Sequence, residues 1–273
     1  MGEAHVGGKF KIMYIEFLKK SFQQQFVYRT NTIINIFTSL IYLFVTVSIW
    51  SALYGGRSII DGISLSEMLT YLLMMQFVRT IVRLPVSNYV ADRASSGIIS
   101  IDFIRPVNLK LCAIFDSLGS ALFNVVVFAV PMVIIGCFVW GFVFPANLFQ
   151  WLIFIPSLFM AIALYSTMEY IMGLTAFWTK TNFHISWIVG AFMSLFSGSH
   201  IPLWFLPESI RLVANFLPFK YMIFEPINIF MGKVSSGEAL IIILFQFVWL
   251  VILFMIERIL WHYAQRVVTI QGG

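Results

Sequence analysis

Apolar residues run along the chain in long, nearly unbroken blocks separated by short polar interruptions. Crossing ~30 Å of hydrocarbon takes about 20 helical residues. Six blocks reach that length, near 31–54, 66–88, 111–139, 149–178, 183–204 and 238–261. The pattern ahead of them is different. Over 9–28, Phe10, Tyr14, Phe17 and Phe22 fall on or near one helical face, with Lys9, Glu16, Lys20 and Gln23 opposite. Such a helix lies in the membrane interface with its lysines among headgroups; the plainer alternative is a cytoplasmic extension of the first span. The stretch 205–237 mixes Pro207, Pro218 and Pro226 with short apolar pieces such as Tyr221-Met222-Ile223. That mixture predicts short helices that dip partway into the membrane, tolerated only where protein buries their free backbone groups. The expected fold is an all-α integral membrane protein. It has an N-terminal interfacial segment (1–29), a six-helix transmembrane domain (30–264) with re-entrant extracellular helices before its last span, and a short tail (265–273).

Composition agrees with that pattern. The 273 residues are 60% hydrophobic and 11% charged, against about 45–50% and about 25% in soluble domains. So few charges exclude a cytosolic enzyme, a nucleic-acid-binding module and a disordered tail. A net charge of +5 does not call for a nucleic acid, because basic residues of membrane proteins collect in cytoplasmic loops. Of the 17 Lys and Arg residues, 13 fall on the side of the N-terminus and four (Arg57, Arg211, Lys220, Lys233) on the other. The positive-inside rule then puts both termini in the cytoplasm, with the chain in the plasma (inner) membrane. Among the 13 are Arg79 and Arg83, late in the second span and expected near the interface or snorkelling to it. The first long apolar run begins only near residue 31, after several charges, so no cleavable signal is expected. Cys112 and Cys137 share one apolar run and read as packing residues, not a disulfide. The four histidines show no metal-ligand spacing, and no metal site is expected.

Between the second and third spans, Ala91 to Asn108 carries the most information. Ile98, Ile101 and Ile104 recur at helical spacing, Gly97 permits a sharp turn into the helix, and Pro106 ends it. The expectation is a short cytoplasmic helix with an apolar edge, flanked by Arg93 and Arg105. Such an edge calls for a protein partner or lies on the bilayer surface.

This run, Gly97, a hydrophobic helical turn, then Arg105-Pro106-Val107, resembles the cytoplasmic segment of ABC type-2 transporter permeases of the small six-span kind. The likeness extends along the chain, through Gly173-Leu174-Thr175-Ala176-Phe177-Trp178 at the end of the fourth span and the proline-rich segment before the last. It implies that Gly97, Ile98, Ile101, Asp102, Ile104, Arg105 and Pro106 form a coupling helix docked on an ATP-hydrolysing ABC subunit. It also implies that two permease subunits, identical or homologous, pair across a central path among membrane lipids. Asp102-Phe103-Ile104 departs from the leucine-rich run expected there.

The chain has no G-x-x-x-x-G-K-[ST] phosphate loop. No enzymatic activity is therefore expected of it, and ATP and Mg belong on the partner subunit. Glu169 is the ionisable residue lying well within a predicted span. A membrane carboxylate faces a cavity or a partner, so it is either a transport-path contact or a buried group bonded to Thr, Tyr or Arg of a neighbouring helix. Asn124 and Gln246 read as interhelical hydrogen-bond formers. The expected function is the permease subunit of an ATP-driven exporter. The alternatives are a secondary transporter or channel, which would show inverted repeats, and an intramembrane enzyme, which would need converging His, Ser or acidic residues.

Overall fold

The computed structural model describes residues 3–27, 29–104, 107–145 and 147–267, with backbone only at 3–12, 29, 31, 101 and 103–104. Among the described residues, five helical stretches are long and apolar enough to cross a membrane: Thr32–Tyr54, Leu65–Ser95, Leu109–Trp140, Leu148–Thr179 and Ser236–Val267. The protein is an all-α multi-pass membrane protein. Among the described residues there is one strand pair, Ile59–Ile60 with Ile63–Ser64, a small hairpin turned by Asp61-Gly62, a turn dipeptide absent from the sequence expectations.

In chain order, α1 is Glu3–Gln24 and α2 is Arg29–Tyr54; the hairpin leads into α3, Leu65–Val82. A capping box starts α3, with Ser64 and Glu67 each satisfying the other's backbone N–H. Pro85, which cannot donate, separates α3 from α4, Val86–Ser95. A six-residue α5, Ile99–Ile104, precedes α6, Leu109–Asn124. A π-helical stretch at Val125–Ala129 joins α6 to α7, Val130–Trp140. The long α8, Leu148–Leu174, is followed by one turn, α9, Ala176–Thr179.

The fifth predicted span, 183–204, has no helix of matching length. Its helix, α10, covers only Phe183–Phe196, about 21 Å at 1.5 Å per residue and short of the ~30 Å hydrocarbon. Apolarity continues beyond it, but Gly198 sits at φ +76°, a left-handed conformation that ends a helix. Ser197 turns its hydroxyl back onto the Met193 carbonyl at 2.5 Å, and Tyr71 of α3 donates to the freed Gly198 carbonyl at 2.8 Å. Beyond the bend come α11, Glu208–Asn215, and α12, Phe224–Phe230, each preceded by a short 3-10 turn. Every residue of α12 is buried. The last helix, α13, runs from Ser236 to Val267, further than predicted at its C-terminal end.

Two apolar cores hold these elements. The larger surrounds α3, with Tyr71, Leu72, Leu73, Met75 and Val78 packed against Leu164, Ile223 and Ile227. The smaller, near the N-terminal side of the bundle, gathers Leu84, Val86, Val90, Ile99, Leu109, Tyr170 and Leu174. Gln246 of α13 bridges interior elements as expected, its amide donating to the carbonyls of Ser157 at 3.0 Å and Tyr221 at 2.9 Å. Both cysteines are free. The aromatic face of α1 is covered by protein: Tyr14 packs on Phe115 and Phe22 on Phe123 of α6. Gly119 makes that approach possible, since a Cβ there would lie 2.2 Å from the Leu18 carbonyl.

Candidate functional site

Helix α2 is apolar overall and only lightly buried, yet Thr32, Asn35, Ser39 and Tyr42 follow one another at alternating steps of three and four. Steps of that size stay on one face of a helix, so the four side chains form a polar stripe. The stripe walls a cavity of about 430 Å³, closed on the other sides by Gln76, Arg79, Thr80 and Arg83 of α3 and by Asn124, Val127 and Phe128. The third wall is the junction of α6 with the π-helical stretch. There the Val130 N–H reaches back to Val125, and Pro131 lacks the N–H that a regular α-helical ladder would need. Stretches of this kind locally widen a helix and recur at functional sites.

Two guanidinium groups dominate the electrostatics of this groove. The Arg79 guanidinium lies over the Tyr42 ring, 5.6 Å from its centre, and Arg83 donates from Nε to the Tyr165 hydroxyl at 3.4 Å. Tyr42 in turn pairs with Nδ1 of His200 at 3.1 Å. Among the described residues neither arginine has a carboxylate partner, and no Asp or Glu lines the groove. Arg79 stands 14 residues past the start of α3, about 21 Å along the helix axis. Arg83, four residues on, is the C-cap of that helix, its N–H bonded to the Arg79 carbonyl.

A second polar layer lies toward the N-terminal side. Glu169 stands 21 residues past the start of α8, about 31 Å along the helix axis. It accepts from the Ser87 backbone N–H at 3.2 Å and the Ser87 hydroxyl at 2.5 Å, fastening the first turn of α4 to α8. Gly173 lets the two helices touch one turn further on, where a Cβ would lie 2.8 Å from Val90 Cβ. Lys110 of α6 is paired with Glu257 of α13 and also donates to Thr167 of α8 at 3.1 Å. These groups border a larger cavity of about 800 Å³ between α6, α8 and α13, whose rim includes Ile99 and Asp102.

The predicted short helix exists as α5. Gly97 takes φ +76°, the left-handed conformation that glycine adopts without strain, and α5 follows directly. Ile98 is exposed while Ile99 is buried in the smaller core. Asp102 is gripped from behind by Arg93 of α4, whose Nη1 donates to both carboxylate oxygens at 2.7 and 2.6 Å. The ring of Tyr89 lies 4.6 Å from the same guanidinium. Arg105 and Pro106 lie outside the described residues, as do the side chains of Ile101 and Ile104.

The structure thus brings Gly97, Ile98 and Asp102 together on one small element. Glu169 sits apart from the groove and is held by Ser87 of α4, where the structural alternative expected Thr, Tyr or Arg of a neighbouring helix. Glu169→Gln should accordingly lower the thermal stability of the purified protein, since its amide keeps one acceptor but sets an N–H₂ group against two donors. The cost expected is about 1–3 kcal/mol. Unchanged melting together with altered transport would assign Glu169 to the path. The polar stripe of α2 and the Arg93 and Lys110 pairs are absent from the sequence expectations. The three-four spacing of Thr32, Asn35, Ser39 and Tyr42 was the available signal for the first.

Comparison with known families matches residues 40–272 to the family described as ABC-2 family transporter protein. No curated protein and no solved structure matches the chain.

Proposed function

The chain belongs to the ABC-2 transporter family, and from that premise we propose that it is the permease subunit of an ATP-driven exporter, working with a separate ABC ATPase. A role as a transport permease follows from the family itself, whose membrane proteins generally work with ABC ATPase subunits. The finer reading rests chiefly on α5. A six-residue helix is too short to hold itself together, yet this one is clamped to α4 by a two-pronged Arg93–Asp102 pair, and α4 is fastened to α8 through Ser87 and Glu169. Force applied to α5 from outside therefore reaches a membrane-crossing helix without a flexible joint. Docking on α5 and its exposed neighbour Ile98 would let ATP-driven closure of the ATPase pair rock the bundle as a rigid body.

In this reading ATP and Mg are bound by the partner, and the chain itself performs no catalysis. Both termini are cytoplasmic. The short α10 and the bent segment after it complete a sixth crossing, and the buried α12 re-enters from the outer side. A second permease, identical or homologous, faces α2, which one copy leaves largely uncovered. The Arg79 groove then forms one wall of the path between the two.

The test is isolation of the full chain from native membranes in mild detergent. An ATP-hydrolysing subunit should co-purify, and its hydrolysis should change when the chain is reconstituted in lipid. A chain that purifies with no such subunit and transports down an ion gradient would overturn the reading in favour of secondary transport.

A further inference from the structure

We propose that the groove between α2, α3 and the α6–α7 junction binds the phosphate-ester headgroup of a hydroxyl-bearing anionic amphiphile. The inference rests on reading this groove as part of the transport path and supplies a substrate class for it.

A charged side chain at hydrocarbon depth is costly and is kept where it faces a cavity or a counter-charge. Arg79 and Arg83 both face the cavity, and among the described residues no carboxylate answers either one. Arg83 caps the C-terminus of α3 one turn past Arg79, and like charges so placed repel each other. An oxyanion placed between them removes that repulsion and accepts charge-assisted hydrogen bonds from two planar guanidinium forks, the geometry in which arginine holds phosphate. Tyr42 and Tyr165 fix the forks in place, so little ordering is left for the ligand to impose.

The uncharged lining narrows the class. Gln76 presents a buried amide oxygen that has no hydrogen-bond partner and belongs to the groove wall. An acceptor in that position wants a hydroxyl donor. Thr32, Asn35, Ser39 and Asn124 add further polar contacts. A headgroup hydroxyl, as in a phosphate ester of glycerol or a sugar, would answer Gln76. The volume of about 430 Å³ is at the small end for ligand sites, large enough for a headgroup and too small for its acyl chains. Those chains would extend out of the groove past the lightly covered α2.

The probe is short-chain phosphatidylglycerol, titrated onto the delipidated full chain with whatever subunits it retains and followed by native mass spectrometry. One tight adduct is expected for phosphatidylglycerol and none for phosphatidylcholine. Arg79→Gln and Arg83→Gln should each weaken the adduct about tenfold or more, as loss of a charge-assisted bond implies. Arg79→Lys and Arg83→Lys should retain much of it, and Lys19→Gln, which removes an exposed cation of α1, should leave it unchanged. Ser39→Glu places an internal carboxylate opposite the arginines, so it should preserve folding yet abolish the adduct. Competition by millimolar inorganic phosphate would assign the oxyanion site to a free phosphate; persistence in its presence would assign it to the headgroup. Equal binding by the wild type, Ser39→Glu and both Gln variants would overturn the site. An ATPase subunit that co-purifies with all variants leaves the permease reading standing whichever way the lipid result falls.

Discussion

Lys110→Met should destabilise the transmembrane bundle by about 3–5 kcal/mol, the range found when one partner of a buried ion pair is removed. Lys110 and Glu257 come from helices distant in sequence, and their side chains are only 17% and 9% exposed. The Lys110 ammonium also donates to Thr167 and lies 5.8 Å from the Tyr170 ring, so a single cation ties α6, α8 and α13 at one level. Methionine fills its volume but leaves the Glu257 carboxylate uncompensated beside a cavity. The second variant matters as much as the first. Lys110→Met combined with Glu257→Leu removes both charges and should recover most of the loss, because replacing a whole buried pair by apolar residues is often neutral. Equilibrium unfolding of the purified chain in mixed detergent measures both. A single variant within about 1 kcal/mol of the wild type would mean that the pair is solvated and worth no more than a surface bridge.

That pair also shows why the sequence discloses some features and hides others. Long apolar blocks are a local property: each residue's hydropathy adds to its neighbours', and bilayer thickness converts the sum directly into a helix. Five of the six predicted spans therefore have long helical counterparts. The block 183–204 carries a helix only as far as Phe196, because it stays apolar through Gly198, which leaves the helical region at φ +76°. The short helix after Gly97 was legible for the opposite reason, its signals being a turn glycine and isoleucines at helical spacing within a few residues. What grips it was not legible. Arg93 and Asp102 are nine residues apart, and nothing in that separation says that the chain reverses between them. Lys110 and Glu257 are separated by 147, so their pairing exists only after folding. Glu169 was noticed because a carboxylate inside an apolar block is conspicuous, but its partner Ser87, 82 residues away, comes beside it only after folding. The polar stripe of α2 was hidden by averaging, because four hydroxyl or amide residues among many apolar ones leave the mean almost unchanged.

Arg93→Asp should leave the membrane-crossing helices folded while severing transport from ATP hydrolysis. The guanidinium makes two short bonds to one carboxylate that is only 10% exposed, and charge-assisted bonds of this kind contribute about 1.5–3 kcal/mol each. Reversing the charge removes them and sets two carboxylates against each other. Helix α5 has six residues, far below the 12–15 at which isolated helices become marginal, so it depends on this clamp and on the burial of Ile99. Released from α4, it can still contact a partner subunit but no longer pass a displacement on. In reconstituted vesicles the variant should retain its ATPase subunit and basal hydrolysis, with substrate-dependent stimulation reduced about tenfold or more. That split separates a broken lever from a broken dock, which would lose the subunit itself. Arg93→Asp joined to Asp102→Arg restores the pair with its ends exchanged and should return part of the stimulation. No recovery in the double variant would fit loss of side-chain packing on Tyr89, whereas full coupling in Arg93→Asp alone would show that force enters the bundle by another route.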